Sequence, residues 1–145
     1  MAEVQRSALV PYSAQRMFAL VDRVEDYPKF LPWCGGSTVE LRSSEVTRAE
    51  IRIDYHGIRQ AFKTENRNAP PSRIDIQLVS GPFRRLDGHW QFSALRADAC
   101  KIEFRLHYEF SSRLLEKLVG PVVNYIAGSL VDAFLARAEK LYGEG

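Results

Sequence analysis

The sequence predicts an α+β fold in which a curved antiparallel sheet of about seven strands wraps around a long C-terminal helix, with two short helices between strands 1 and 2. Three observations support this prediction. Stretches that alternate apolar and polar residues recur between residues 48 and 110, and this period of two is typical of strands with one buried face. Turn residues such as Gly and Pro separate these stretches. After Phe110 the apolar period changes to about 3.6, which indicates a helix.

The N-terminal part of the chain predicts one strand and two short helices. Residues 2–9 form the first strand. Ser13 is a suitable N-cap for a helix over residues 14–21, because its hydroxyl can accept a hydrogen bond from an amide in the first turn. Residues 22–31 form the second short helix, and Pro32 ends it.

Six strands follow the short helices, and alternation together with turn residues predicts the ranges of five of them. Gly88 lies inside one such stretch, where a glycine indicates a bulge or a sharp bend. His56 and Gly57 indicate a tight turn between two of the strands. The five ranges are 48–56, 58–67, 73–79, 83–95 and 101–110.

One long helix follows the last strand. Ser111 or Ser112 caps it, and its apolar stripe continues to about Tyr142, where Gly143 is a natural stop. Pro121 lies inside the helix and has no amide hydrogen, so a kink or break is expected there. Each strand has only one apolar face, and only this helix is large enough to cover those faces. The gap between the helix and the sheet is the candidate pocket.

The candidate ligand-binding residues come from three places: the segment after the second short helix, the apolar parity of the strands, and the stripe of the long helix. The alternative is that the same side chains fill a solid core or, near Trp33, pin the short helices against the sheet. Interspersed polar side chains, among them Gln60, Thr64 and Asn124, favour a pocket, since a few polar groups in an apolar shell orient a ligand. The candidates are Phe30, Trp33, Ile53, Tyr55, Phe62, Leu78, Leu86, Trp90, Phe104, Leu106, Val122, Tyr125, Ile126 and Ser129.

Catalytic and metal-binding residues are not predicted. His56, His89 and His107 fall on the polar parity of their strands, away from the expected pocket, where general acid–base catalysis would need them. Cys34 and Cys100 do not form a CxxC pair, so neither a zinc site nor a disulfide framework is indicated. The chain is therefore expected not to be an enzyme.

Composition fits one domain over residues 1–145. The chain is 46% hydrophobic and 26% charged with a formal net charge of +2, which is the balance of a globular protein and too weak a charge to indicate nucleic acid by itself. No secretory leader and no apolar run of membrane-spanning length is recognised, so a cytoplasmic location is expected. Six arginines of the charged outer face would contact RNA if they clustered, but interleaved acids favour a solvated face; these are Arg48, Arg52, Arg59, Arg67, Arg84 and Arg85.

Three stretches resemble one known family. The octapeptide YPKFLPWC at residues 27–34 is similar to a signature of the coenzyme Q-binding branch of the START-like (SRPBCC, polyketide cyclase/dehydrase) superfamily. Its two prolines, three aromatics and one cysteine within eight residues are improbable by chance. The other matching residues are Gly81, Pro82, Phe83, Leu86, Gly88, Trp90 and Phe92 in the strands, and Ala133, Phe134, Arg137, Ala138, Leu141, Tyr142 and Gly143 at the helix end.

The resemblance implies a helix-grip (START-like) fold with a hydrophobic cavity under the long helix. It also implies a function: non-enzymatic binding of ubiquinone or a similar isoprenoid lipid, with no required cofactor, in support of respiratory electron transport. The alternative that it implies is association with the large ribosomal subunit as a translation-inhibiting toxin of a toxin–antitoxin pair. A second alternative is a small-molecule cyclase or dehydrase. Transient contact with the inner membrane surface is a further expectation, and the oligomeric state is not indicated.

Overall fold

The structure is a computed structural model that describes residues 2–143. It confirms the predicted order of one strand, two short helices, six strands and one long helix. Alternation predicted no range for the first of those six strands. The elements are β1 (Ala2–Val10), α1 (Ala14–Asp22), a 3₁₀ helix (Val24–Lys29), β2 (Cys34–Arg42), β3 (Val46–Tyr55), β4 (Ile58–Ala69), β5 (Arg73–Ser80), β6 (Phe83–Arg96), β7 (Ala99–Phe110) and α2 (Arg113–Tyr142).

The strands form one curved antiparallel sheet over the described part of the chain, in the order β1-β7-β6-β5-β4-β3-β2. Strands β2 to β7 are joined by consecutive hairpins, and β1 returns to pair with β7. Helix α2 contacts β1 and β7 most extensively, and also β4 and α1. The sheet therefore curls around one helix, as the alternation and the change of period predicted.

The buried faces of the strands follow the predicted parity. In β7, Ile102, Phe104 and Leu106 are buried, whereas the alternating residues Lys101 and Glu103 are partly exposed and Arg105 is exposed. Burying such apolar side chains contributes roughly 1.5–3 kcal/mol each to the free energy of folding. This term orients each strand toward α2, since a shift of one residue would turn every apolar side chain outward.

The β3–β4 hairpin has the tight turn that the sequence indicated. His56 and Gly57 both have positive φ values, 51° and 79°, and they form a two-residue loop between the paired residues Tyr55 and Ile58. This combination is typical of a type I′ turn, which matches the twist of the flanking strands.

Gly88 does not lie at a bulge, so of the two predicted alternatives, a bulge or a sharp bend, the bulge is wrong. It pairs in regular register with Leu106 on β7 and Ile76 on β5. A Cβ atom at this position would lie 2.1 Å from the backbone oxygen of Arg105. Glycine is therefore required because the β7 backbone approaches too closely for any side chain.

The long helix begins and ends as predicted, but it has no break at Pro121. The Ser112 hydroxyl accepts a hydrogen bond from the Leu115 amide at 3.2 Å, and the Gly143 amide donates to the Glu139 carbonyl. One missing amide removes one hydrogen bond, and the bonds on either side hold the helix through Pro121.

By length and composition alone α2 is also apolar enough to cross a membrane, with an 18-residue window of mean hydropathy 1.5. The expectation that no run reaches that length was therefore wrong, although core helices of soluble proteins share this property and one face of α2 is buried against the sheet.

The second short helix differs from its prediction in length and type. It is a six-residue 3₁₀ helix, Val24–Lys29, instead of a helix over residues 22–31. Helix α1 takes Asp22 as its last residue, and Pro28, which cannot donate a helical hydrogen bond, lies within the 3₁₀ turn. The segment that follows places Phe30 and Trp33 beside α2 and the sheet, where the candidate site lies.

Candidate ligand-binding cavity

A cavity lies between the concave face of the sheet and α2. Its volume is about 100 Å³, and its wall is almost entirely apolar. The side chains come from the short helices, five of the strands and one face of α2. They are Val21, Val24, Tyr27, Trp33, Ile51, Ile53, Phe62, Thr64, Asn66, Ile76, Phe83, Leu86, Trp90, Phe104, Leu106, Val123, Ile126, Ala127, Leu130 and Phe134.

The volume limits what the cavity holds in this conformation. Drug-sized ligands commonly occupy roughly 300–1,000 Å³, whereas an apolar cavity of roughly 150 Å³ binds benzene. A space of about 100 Å³ therefore suits one small ring or a short apolar chain. A larger ligand requires α2 or the segment around Trp33 to move outward.

Aromatic contacts hold the C-terminal half of α2 against the segment that follows the 3₁₀ helix. The Phe134 ring lies 5.4 Å from the rings of both Tyr27 and Phe30, in edge-to-face geometry. The Arg137 guanidinium lies 5.0 Å from the centre of the Phe30 ring, a cation–π distance. Phe30 thus forms part of the contact that closes this side of the cavity and does not itself line the wall.

A second aromatic contact holds the N-terminal half of α2. The rings of Tyr55 and Tyr125 stack with their centroids 5.7 Å apart and their planes inclined by 5°. Desolvation, followed by the hydrogen bond to Tyr125, raises the pKa of the Tyr55 hydroxyl above its usual value. The pair links the end of β3 to α2, so α2 is held on both sides of the wall residues Ile126 and Leu130.

Eight of the fourteen candidate residues lie in the cavity wall. They are Trp33, Ile53, Phe62, Leu86, Trp90, Phe104, Leu106 and Ile126. That these side chains contact a ligand remains a prediction, because the wall is defined by geometry alone.

The other six candidates lie beside the wall. Phe30, Tyr55 and Tyr125 form the two aromatic contacts. Leu78 and Val122 pack, partly buried, against the surrounding core. The Ser129 hydroxyl donates to the Ile126 carbonyl at 3.0 Å. On α2 the wall follows a narrower stripe than the sequence indicated, with Val123 in place of its neighbour Val122.

The wall also contains residues that sequence reasoning did not select. On α2 these are Val123 and Ala127, and their spacing of four residues was available as a signal. Leu130 and Phe134, also in the wall, belong to the apolar stripe that the sequence indicated. On β4, Asn66 has the same parity as Phe62 and Thr64, so period-two reasoning would have placed it inward. Asn66 was not selected because its side chain is polar, whereas the wall was expected to be mostly apolar.

The polar atoms of the wall are few and differ in their partners. The Tyr27 hydroxyl donates to the Val21 carbonyl at 2.5 Å. Thr64 is 5% exposed. The Oδ1 atom of Asn66 is enclosed and has no hydrogen-bond partner within residues 2–143, which is uncommon because most buried side-chain polar atoms are paired.

In the part of the chain that the structure describes, groups able to transfer protons lie outside the cavity, apart from Tyr27. Among the described residues the wall has no carboxylate, imidazole, amine or thiol. Burial raises the pKa of the Tyr27 hydroxyl strongly, so it stays protonated and bonded to Val21. His107 lies on the outer face, 3.1 Å from Glu3, and Cys34 is a buried thiol whose pKa is raised by desolvation. The arrangement provides a binding surface without acid–base machinery.

The six arginines of the outer face are all paired with carboxylates. Their distances range from 2.7 Å for Arg85 and Asp87 to 3.7 Å for Arg59 and Asp54. Neighbouring opposite charges reduce the positive potential that phosphate binding needs. The remaining pairs are Arg48–Glu65, Arg52–Glu50, Arg67–Glu65 and Arg84–Glu109.

Comparison with known proteins identifies relatives along nearly the whole chain. Residues 10–135 match the family described as polyketide cyclase / dehydrase and lipid transport. Ribosome association toxin RatA of Vibrio cholerae is 44% identical over 144 residues, which cover 99% of this chain and 100% of the relative. RatA of Escherichia coli K12 is 40% identical, with 98% and 90% covered. Coenzyme Q-binding protein COQ10 homolog B, mitochondrial, of Xenopus laevis is 28% identical, with 97% and 59% covered.

Solved structures share the fold. The Zhui aromatase/cyclase from Streptomyces sp. R1128 superimposes with a TM-score of 0.84 at 14% identity, covering 96% of this chain and 94% of that one. The 18 kDa protein CC1736 from Caulobacter crescentus superimposes with a TM-score of 0.74 at 32% identity, covering 99% of each chain. The first of these likenesses concerns the fold alone, because its sequence identity is low.

Proposed function

The chain belongs to the polyketide cyclase / dehydrase and lipid transport family, and from this premise we propose that it binds a hydrophobic small molecule in the cavity under α2 without changing it chemically. The observation that carries the proposal is the apolar cavity of about 100 Å³. A space lined by aromatic and aliphatic side chains favours an apolar ligand over water. The lack of acid–base groups in the described wall supports binding without catalysis.

The finer proposal is that the ligand is ubiquinone or a similar isoprenoid lipid, in support of respiratory electron transport. One relative carries the name coenzyme Q-binding protein, although this chain spans only 59% of that relative's length. A quinone-sized ring is closer to the cavity volume than an isoprenoid tail is, so the tail would require an opening beside α2. The proposed location is the cytoplasm, with contact to the inner membrane surface when lipid is exchanged.

Tryptophan fluorescence offers a direct test. The chain has two tryptophans, and both Trp33 and Trp90 line the cavity. A ubiquinone with one isoprene unit, added to protein freed of lipid, should quench this fluorescence in a saturable way. Unsaturable quenching, as free tryptophan shows, would contradict the proposal.

A matched pair of variants locates the binding. Ala127 lies in the wall and is 2% exposed, whereas Ala136 lies exposed on the same helix. Ala127→Leu should fill the cavity and abolish saturable quenching, and Ala136→Leu should leave it unchanged. If Ala127→Leu does not fold, Leu130→Phe fills the same space from a half-buried position. Equal quenching in a folded wall variant and in the Ala136 variant would place the ligand elsewhere.

A second candidate function is association with the large ribosomal subunit and inhibition of translation. It is favoured by the name ribosome association toxin, which relatives 40% to 44% identical over almost the whole chain carry. The two functions are compatible, because the cavity and the outer surface are separate. The pairing of the six outer-face arginines means that an RNA-binding surface would have to use other cations or exchange these partners.

Sedimentation of cell extracts through sucrose gradients tests this second candidate. Association through phosphate contacts should place the protein in the large-subunit fraction at low salt and release it at high salt. Absence from that fraction at low salt would remove the candidate. The Ala127→Leu variant should still associate, since its change lies inside the cavity.

A further inference from the structure

Asn66 gives the cavity wall a polar atom, Oδ1, that accepts no hydrogen bond from any described residue. Three buried side-chain atoms of residues 2–143 have no hydrogen-bond partner, namely Arg48 Nε, Asn66 Oδ1 and Asn68 Oδ1. Of these, the Asn66 atom alone belongs to a wall residue. An enclosed carbonyl-type oxygen without a donor is unfavourable, so a partner from outside the chain is expected there.

The surroundings of Asn66 confine that partner to the cavity. Asn66 lies opposite Ile76 on β5, and Thr64, two residues earlier on the same face, lies opposite Leu78. These neighbours on β5 are apolar and cannot donate. On β3 the residue opposite Asn66 is Thr47, whose hydroxyl donates its one proton to Asp22 Oδ1 at 3.4 Å. Asn68, the next residue of the same parity, donates through Nδ2 to Asp22 at 3.2 Å and to Thr47 at 3.3 Å, so its polar cluster belongs to the packing of α1.

From these contacts we propose that the cavity's ligand is amphipathic, an apolar ring or chain carrying a hydroxyl donor that bonds to Asn66 Oδ1. This inference rests on the proposed function, and it names the chemical class of the ligand: a phenol, a hydroquinone or an apolar alcohol. The apolar part lies among side chains such as Ile126 and Trp90. Thr64, buried beside Asn66, supplies a second polar group next to the ligand hydroxyl.

The proposal distinguishes ligands of equal size. A pure hydrocarbon would leave Asn66 Oδ1 unpaired, and so would the carbonyl oxygen of a quinone, because both lack a donor. The corresponding hydroquinone supplies one. The cavity should therefore favour the reduced, hydroxyl-bearing form of a ring over a donor-free ring of the same shape.

Phenol and toluene are matched probes for the test, since each is a single ring with one small substituent. Their dissociation constants are measured by calorimetry on the full chain, and the ratio of the toluene constant to the phenol constant is compared between variants. Asn66→Leu should lower this ratio about tenfold, the effect of losing one hydrogen bond of ordinary net strength. Gln77→Leu makes the same chemical change at an exposed site on β5 and should leave the ratio unchanged.

A second measurement needs no variant. In a nitrogen–proton correlation spectrum of the wild-type protein, phenol should shift the side-chain amide signals of Asn66 and toluene should not. An equal ratio in wild type and Asn66→Leu, or equal shifts with both probes, would overturn the inference while leaving hydrophobic binding in place. Failure of the wild-type protein to bind either probe would count against the proposed function itself.

Discussion

The Tyr55 ring stacks almost parallel on the Tyr125 ring, with the centroids 5.7 Å apart, although four strands and nearly half of α2 separate the two residues along the chain. Tyr125 is 52% exposed, so the contact lies at the surface beside the cavity. An aromatic pair of this kind contributes about 0.5–1.5 kcal/mol beyond its buried area. The contact therefore fastens one side of α2 to the hairpin without being part of the core.

A double-mutant cycle measures this fastening. Tyr55→Ala, Tyr125→Ala and the double variant should reveal a coupling of about 0.5–1 kcal/mol in the free energy of unfolding, near the lower end because the pair is exposed. Urea denaturation gives the values. Tyr125→Phe keeps the ring and should retain most of the coupling. Additivity of the two alanine substitutions would show that the stacked rings do not hold α2.

Phe134 forms the aromatic contact in the C-terminal half of α2, and it should contribute far more to the free energy of unfolding than Tyr125 does. Its ring lies 5.4 Å from those of Tyr27, Phe30 and Trp90, and the residue is 1% exposed. Phe134→Ala removes a buried aromatic ring and should cost about 3–5 kcal/mol in the free energy of unfolding.

Leu118 is the matched control for Phe134, since it lies on the same helix and is 58% exposed. Leu118→Ala should change the free energy of unfolding by no more than about 0.5 kcal/mol. Similar losses for Phe134→Ala and Leu118→Ala in urea denaturation would show that α2 is not held through Phe134.

Two glycines should respond differently to alanine. At Gly88 a Cβ atom would lie 2.1 Å from the Arg105 carbonyl oxygen, whereas at Gly57 it would meet nothing within 4 Å. Gly57→Ala should cost about 1–2 kcal/mol, because its φ of 79° is unfavourable for an L-residue. Gly88→Ala forces two backbones apart and should cost about 3 kcal/mol or more. Thermal unfolding distinguishes them, and equal costs would mean that β6 and β7 separate more easily than the structure indicates.

The ion pair between Glu25 and Arg42 makes stability depend on pH. The hydrogen bond from Arg42 is the largest influence on the pKa of Glu25, which lies below its usual value of 4.5. A carboxyl whose pKa is lowered on folding stabilises the protein fully above about pH 4.5, and this contribution is lost as pH falls through the lowered folded-state pKa. The Arg42 side chain is 35% exposed and the Glu25 side chain 42%, so solvent screens the pair. Its contribution to the free energy of unfolding at neutral pH should therefore be less than about 1 kcal/mol.

Glu25→Gln tests this dependence. Between pH 6 and pH 3 the variant should lose less free energy of unfolding than the wild type, because its side chain no longer titrates. Glu45→Gln, in the turn between β2 and β3, is the control and should follow the wild-type curve. Parallel curves for Glu25→Gln and wild type in urea denaturation at these two pH values would contradict the assignment.

The preferences of individual residues for helix caps and turns were sufficient to predict most of the secondary structure. Ser13 and Ser112 accept hydrogen bonds from Arg16 and Leu115, as their position before apolar helical stretches predicted. The turn at Gly57 required only the preference of glycine for positive φ. The bulge predicted at Gly88 was wrong, because glycine is required there by the close approach of the β7 backbone at Arg105, a contact between strands that the apolar period does not record.

The sequence by itself determined which faces are apolar, because side chains alternate along a strand and recur every three to four residues along a helix. It therefore determined that α2 and the sheet enclose one another. Only the tertiary structure decided which of those apolar side chains leave a space, which carboxylates pair with Arg48 and the other outer-face arginines, and that Asn66 Oδ1 has no donor among the described residues. These properties depend on distances between atoms far apart in the chain, set by strand register and by the placement of α2.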